Sequence, residues 1–438
     1  MKKILLLTLP FISLFAYSQQ PMNLDACMKY AVENSYKTAR AATDLDNAKK
    51  EYSGAVLSHL PGVNASMGVG SNFGRGIDPA TNNPVTYTTF NNSAQLSASM
   101  PIFYGLRYLN QTRSAKIAKL RGEEQLRYTR DQVAEATMLT YAEVVYYTEM
   151  VELQQKKIES YQMEEKRMAR LLELGGGSAA DLAQIRASLA SEEYNAIALR
   201  NSLEISMVKL KDCMNFPLDD LLKIVPQIED ATLYLEEQTP ADIIAFAFNA
   251  HPVAIIEQHN LTWQKRSLSM ARGAYYPSLS LGGSISSIYY TSSAEKYTPY
   301  FTQYKNNLGE SVNLNLQIPI FNGLEARLRV SVAKNNLKQA QRDYDETMRT
   351  LSSEIRQALM ELEASHSQWL QAQKNVEYQQ IANQANHRKY ETGTLSIIEL
   401  QTSDNQFFQS EIELRRAYLQ YQIKVREMNY YKGKGYLN

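Results

Sequence analysis

Two six-residue stretches, Pro101-Ile102-Phe103-Tyr104-Gly105-Leu106 and Pro319-Ile320-Phe321-Asn322-Gly323-Leu324, stand 218 positions apart (319 − 101) in a chain of 438 residues. Each is followed by about seventy Pro-free, Gly-poor residues that end at a second glycine, Gly175 and Gly393, again 218 apart (393 − 175). An interval conserved to the residue between the two halves implies a rigid span. Ala, Leu, Glu, Gln, Lys and Arg dominate it, so each span predicts one helix of roughly 105 Å, longer than an ordinary globular domain. The chain is therefore read as one architecture built twice.

The first residues have the pattern of an export signal over 1–18. Lys2 and Lys3 precede an apolar run from Ile4 to Phe15, and Ala16-Tyr17-Ser18 supplies small residues for cleavage before Gln19. Cys27 lies too far along to carry a lipid anchor. Beyond residue 18 no apolar run is long enough for a membrane helix, so any membrane crossing must be made by strands. Lys plus Arg is 46 and Asp plus Glu is 46, which leaves no basic field for nucleic acid. The 29 tyrosines fit a membrane interface.

Within the first copy, residues 19–215, the composition is helical from Leu24 to Ser58, with Leu24, Cys27, Met28, Ala31 and Val32 along one face. After Pro61-Gly62, Val63, Ala65, Met67 and Val69 alternate with Asn64, Ser66, Gly68 and Gly70. The alternation pauses in a stretch containing Gly74, Gly76, Pro79 and Pro84, read as a long loop, and returns in Ala94, Leu96, Ala98 and Met100. This is a strand hairpin whose aliphatic face suits lipid and whose small polar face suits a water-filled lumen. A linker covers 216–239. The second copy, 240–431, repeats the order: a helix over Ala241–Ala274 split at Pro252, then alternation through Leu279, Leu281 and Ile285, then through Val312, Leu314, Leu316, Ile318 and Ile320. In its long helix Tyr344-Met348, Leu351-Ile355 and Ala358-Leu362 step by seven, as in a coiled coil. The tail, 432–438, shows no pattern and is expected to be loose.

Each long helix ends in a tip. Gly175-Gly176-Gly177-Ser178 is followed by Asp181, and Thr392-Gly393-Thr394-Leu395-Ser396 by Glu399, so each return helix starts with a capping serine and an acid three residues on. The fold class is thus mainly helical, with long coiled-coil hairpins and four membrane-length strands. Four strands cannot close a barrel, and their open edges require other copies of the chain. Two copies supply about eight strands and a barrel plugged by side chains; three supply about twelve and an aqueous pore, which the Ser, Gly and Asn face favours.

The signal segment, the duplication, the P-x-F-x-G junctions and the G-x-x-S-x-x-[DE]-L tips occur together, in order and in duplicate. On these features the mature chain resembles, over essentially its whole length, the TolC family of trimeric outer-membrane efflux channels. The resemblance implies a homotrimer with a twelve-stranded barrel among outer-membrane lipids. A helical tunnel would cross the periplasm to an adaptor protein and an inner-membrane pump, serving efflux or type I secretion. It implies a periplasmic gate at Asp181, Tyr390, Glu399 and Thr402, with Leu395 standing where the family carries a latch arginine. It also implies adaptor contacts at Leu174, Gly175, Gly176, Thr392, Gly393 and Thr394. Three copies of Glu399 would gather carboxylates that repel one another and attract cations. The opposing expectation is that Asp181 and Glu399 only complement helix N-termini.

No catalytic constellation, cofactor motif or metal site is expected. His59, His251, His259, His366 and His387 show no H-E-x-x-H spacing, Gly175-Gly176-Gly177 lacks the lysine of a phosphate loop, and Met163 and Met168 read as packing residues. Cys27 and Cys213 fall at one level of the repeat, so two arrangements stay open, an exported-protein disulfide or two separate thiols. A different class, a trimeric adhesin or exported coiled-coil stalk, would gather its strands at one end of the chain; here they sit inside both repeats.

Overall fold

The residues described by this computed structural model are 21–77, 82–226, 239–292 and 299–437. The export signal and residues 227–238 of the linker lie outside them. The helices are α1 (Leu24–Asn34), α2 (Tyr36–Leu57), α3 (Arg107–Glu173), α4 (Ala179–Met214), α5 (Pro240–Ala250), α6 (Pro252–Arg272), α7 (Tyr300–Asn306), α8 (Glu325–Glu391) and α9 (Ile397–Tyr431). The strands are β1 (Gly62–Ile77), β2 (Pro84–Tyr104), β3 (Ser278–Ser292) and β4 (Gly309–Gln317). Both spans expected as single long helices are so, α3 and α8 having 67 residues each. None of the described helices is apolar enough to cross a membrane.

The chain divides into two compact units. One comprises Ala41–Leu126 and Pro252–Thr350 and contains the sheet, antiparallel in the order β1-β2-β3-β4. Its register places Ala65 beside Leu96, Leu96 beside Ile285, and Leu279 and Leu281 beside Leu316 and Leu314, so one face is largely aliphatic, with Glu310 of β4 beside Ile285 its charged exception on that strand. Ser66, Gln95, Ser286 and their neighbours form the other face. The first hairpin is longer than the sequence suggested. Gly74 and Gly76, expected in a loop, pair with Tyr87 and Val85, because the backbone ladder continues past the end of the aliphatic pattern.

The duplicated hexapeptide is a strand-to-helix corner. Gly105 and Leu106 have φ of 59° and 62°, and Gly323 and Leu324 have 62° and 67°, two successive left-handed residues in each copy. The leucine carbonyls then accept the first helical bonds, from Asn110 and Leu328, at 3.0 Å each. At Gly105 the need for glycine is also steric, since a Cβ would lie 2.3 Å from the Gly273 carbonyl oxygen.

The other unit comprises Met1–Arg40, Arg127–His251 and Leu351–Asn438. Its core packs Cys27, Met28 and Ala31 of α1 against Ala134, Met138, Tyr141 and Val145 of α3 and Leu210 and Met214 of α4. The heptad residues Leu351, Ile355, Ala358 and Leu362 are likewise buried. The first part of the linker is tied in: Met22 exchanges backbone bonds of 2.9 Å with Lys223 and Val225, and the Tyr141 hydroxyl donates to the Val225 carbonyl. The break at Pro252 is present, closing α5 at His251. A matching break at Ser35 was not foreseen; Ser35 is extended, and its hydroxyl oxygen accepts from the Lys37 N–H at 3.2 Å.

One expectation is corrected and one open alternative is decided. The tail is not loose through Tyr436. Gly433, at φ 90°, turns the chain back, the Lys434 N–H donates to the Asn429 carbonyl, and Tyr436 stacks on Tyr430 with ring centroids 4.8 Å apart and is only 8% exposed. The bridge considered between Cys27 and Cys213 is not formed; both are free thiols. Cys27 is enclosed in the apolar core, where burial pushes its pKa up to about 12, and the Cys213 sulfur lies 3.6 Å from the Thr137 hydroxyl.

Charge is also buried in this unit. Lys157 Nζ contacts Glu192 at 2.8 Å, the Gln154 amide donates to the same carboxylate at 2.8 Å, and Lys157 sits 4.5 Å over the Phe408 ring. Burial alone would raise the Glu192 pKa, but the bonds from Lys157 and Gln154 more than offset it and the net shift is downward. Such a network fixes the register of α3 against α4, since sliding either helix would strand a charge. His251 is the opposite case. It is buried against Tyr430 and Tyr431, its Nδ1 has no hydrogen-bond partner among the described residues, and burial, with the Arg127 charge, pushes its pKa down to about 4. The unfolded chain therefore binds a proton near pH 6.5 that the folded chain refuses until about pH 4. Stability should fall as pH drops through that interval, by at most about 3–4 kcal/mol from this group. Thermal unfolding followed against pH should show the slope, and His251→Phe should flatten it.

Candidate functional site

The candidate site is the pair of hairpin tips, both within the unit that holds Tyr141. Each long helix ends in the same backbone device. At the first tip the Gly175 N–H donates to the Leu172 carbonyl and the Gly176 N–H to the Leu171 carbonyl, both at 3.0 Å, with Gly175 at φ 79°. At the second, Gly393 donates to Tyr390 at 3.0 Å and Thr394 to Lys389 at 2.9 Å, with Gly393 at φ 73°. These are Schellman closures, which satisfy the last carbonyls of a helix and need a left-handed residue. Leu174, Gly175, Gly176, Thr392, Gly393 and Thr394 are all exposed.

The return helices start on the serines expected. The Ser178 hydroxyl oxygen accepts from the Asp181 N–H at 3.4 Å. At the second tip the box is reciprocal: Ser396 accepts from the Glu399 N–H at 3.3 Å, and the Glu399 carboxylate accepts from the Ser396 N–H at 2.9 Å and its hydroxyl at 2.8 Å. Those two bonds, the backbone one first, hold the exposed Glu399 carboxyl below the usual carboxylate range. Thr402 is exposed, and its hydroxyl donates to the Ile398 carbonyl at 2.8 Å.

Between the tips lies a small apolar cluster of Met168, Leu182, Ile185, Ile397 and Leu400, with Leu172, Tyr390 and Leu395 packed against it. Tyr390, expected in a latch, is held from α3. Its hydroxyl donates to the Met168 sulfur at 3.4 Å, and the Arg167 guanidinium stands 5.0 Å from its ring centroid while bonding Glu164 at 2.9 Å. Arg167 and Met168 were missed as partners because nothing in sequence spacing pairs α3 with α8. A second polar contact crosses the α8–α9 hairpin just above. His387 Nε2 lies 2.8 Å from Asp404, which also accepts from Asn383 at 2.7 Å. A hairpin pairs residues equally far from its turn, and His387 and Asp404 lie 8 and 9 positions from Leu395 (395 − 387, 404 − 395), so this contact was legible. His387 and Asp404 also line a cavity of about 190 Å³ with Tyr161, Arg167 and Gln401. Among the described residues no group of His, Cys, Asp and Glu could hold a metal ion.

The tips differ at one position. Residue 395 (177 + 218) corresponds to Gly177. Leu395 packs on the cluster, whereas a Cβ on Gly177 would lie 2.7 Å from the Leu172 nitrogen, a backbone atom that cannot turn aside. Gly177→Ala should therefore loosen the first tip, seen as faster amide exchange over residues 171–180. Gly176→Ala, which would meet only the Leu171 oxygen at 3.9 Å, should exchange like the parent.

A family model described as outer membrane efflux protein matches residues 28–215 and 258–433. The chain is 22% identical over 407 residues to the pyoverdine export outer membrane protein OpmQ of Pseudomonas putida, covering 90% of this chain and 82% of that protein. It superposes on the solved structure of CusC with a TM-score of 0.82 at 17% identity, covering 96% of both chains. The CmeC outer membrane channel of Campylobacter jejuni gives 0.78 at 20% identity, covering 92% of this chain and 84% of that one.

Proposed function

Because this chain belongs to the outer membrane efflux protein family, we propose that three copies of it form one outer-membrane channel, a passive conduit for substrates delivered by an inner-membrane pump and its adaptor. The family is one of transport channels, not of enzymes. The observation that carries the trimer is the sheet: β1 and β4 have neighbours on one side only, and in hydrocarbon an unpaired edge leaves a row of unbonded amides. Three copies close about twelve strands into a barrel. The aliphatic face of Val63, Met67, Leu96, Leu281, Leu314 and Leu316 is exposed in the single chain, as a lipid-facing band must be. The repeats 19–215 and 240–431 each supply one strand pair and one helical hairpin. Purified protein in planar bilayers should give discrete conductance steps and run as a trimer in mild detergent; a monomer without conductance would overturn the reading.

In this channel the exposed tip residues Leu174, Gly175, Gly176, Thr392, Gly393 and Thr394 meet the adaptor, and Asp181, Tyr390, Glu399 and Thr402 lie at the periplasmic gate. Glu399 supplies three carboxylates at one level. The serine bonds hold each carboxyl below the usual carboxylate range and so oppose the upward push of mutual repulsion, and three carboxylates at one level draw cations. Multivalent cations added from the tip side should block the parent channel at pH 7. Glu399→Gln should weaken that block severalfold, and unchanged block would place the side chain away from the constriction. The sheet contributes to the conduit a polar face that includes Ser66, Gln95 and Ser286.

A further inference from the structure

The segment between β3 and β4 contains α7, and α7 does not stand off into solvent. It lies on the aliphatic face of the sheet. Tyr289, Ser287 and Asn92 share that face with Ile285 and Leu96, by the alternation of β3 and β2 and the pairing of Asn92 with Tyr289. Tyr300 of α7 packs on Tyr289 with centroids 4.7 Å apart, and its hydroxyl donates to Asn92 Oδ1 at 2.6 Å. The Tyr304 hydroxyl bonds the same oxygen, and its carbonyl accepts from the Ser287 hydroxyl at 2.6 Å. The Asn92 amide donates in turn to the Gly68 carbonyl at 3.2 Å, and Asn92 is left 7% exposed. Asn92 and Ser287, two polar groups on a largely aliphatic surface that also carries Glu310 beside Ile285, are thereby covered and bonded.

The same helix finishes a strand edge. β4 pairs with β3 only as far as Ser286, so the outward N–H and C=O groups beyond it have no strand beside them among the described residues. Gln303 takes that place: its Oε1 accepts from the Tyr290 N–H at 2.6 Å and its Nε2 donates to the Tyr290 carbonyl at 2.7 Å, while Asn307 donates to the Ile288 carbonyl at 2.8 Å. Bonding of this completeness has a purpose where water is scarce. From Leu279 to Tyr289 the strand runs ten residues (289 − 279), which at about 3.3 Å rise and about 40° tilt climbs roughly 25 Å, the height of an outer-membrane hydrocarbon band. Counted from the helix-proximal end, α7 sits at the far boundary of that band. On its outward side are Phe301, 85% exposed, and Lys305 one turn on, exposed as well.

We infer that α7 is an interfacial helix, with Phe301 in the acyl–headgroup boundary of the outer leaflet and Lys305 reaching the lipid phosphates. The partner is an anionic lipid surface, continuous with the aliphatic band below. The inference rests on the barrel reading above, and its test separates the two. With Trp263 and Trp369 replaced by Phe, Phe301→Trp is introduced in the full chain, which is reconstituted in phosphatidylethanolamine/phosphatidylglycerol vesicles doped with lipid brominated near the headgroup end of its chains. Bromolipid should remove most of the emission from position 301, with a blue-shifted maximum, and aqueous iodide little. Lys305→Trp, read the same way, carries the test if the first variant fails to assemble. Leu314→Trp in β4 is the control for the band. Quenching at 314 by lipid, with 301 and 305 quenched by iodide and untouched by bromolipid, would overturn the interfacial helix and leave the barrel standing; loss of lipid quenching at all three would overturn both.

Discussion

A backbone amide in hydrocarbon has no water to bond, and that constraint orders this molecule. β2 and β3 satisfy it inside the chain, with neighbours on both sides. β1 and β4 cannot, because a four-stranded sheet has two free edges however well it is packed. Oligomerisation in the proposed channel is thus a consequence of hydrogen-bond accounting. The same constraint governs the corners. A strand that ends at the membrane face must pass into a helix without leaving carbonyls idle, and the paired left-handed residues at Gly105-Leu106 and Gly323-Leu324 do this, each leucine carbonyl taking the first helical bond.

What was legible in the sequence was whatever recurs with a fixed period or a fixed interval. The 218-residue offset located both corners and both tips, the alternation of Leu279, Leu281 and Ile285 gave β3, and the seven-residue step gave the buried face of α8. What was not legible depends on partners distant in sequence. The break at Ser35 has no proline to announce it, unlike that at Pro252. The extension of β1 past Gly74 depends on what β2 offers, not on the glycines. Tyr436 looked patternless because a single aromatic docking on Tyr430 has no period at all. Cys27 and Cys213 share a level in the repeat, but level does not set direction, and one thiol faces the core while the other meets Thr137.

The candidate site shows the same division. Caps and turns depend on residues within four or five positions, so Ser178, Ser396, Gly175 and Gly393 could be assigned from their neighbours. The contacts of Tyr390 could not, since its partners Arg167 and Met168 lie more than two hundred residues away on another helix.

Duplication made two tips of equal length, and one position has made them unlike. Leu395 packs on the apolar cluster between the hairpins, while its counterpart Gly177 sits too close to the Leu172 backbone to carry any side chain. With position 395 half-buried against the cluster of Met168, Ile185 and Leu400, a cation set into that packing would lie against side chains that offer it no counter-charge. The cation that meets Tyr390 comes instead from α3, where Arg167 keeps Glu164 as its counter-ion and stacks over the ring from the rim. Apolar packing and a cation–π contact thus hold the two hairpins of one chain together at their tips.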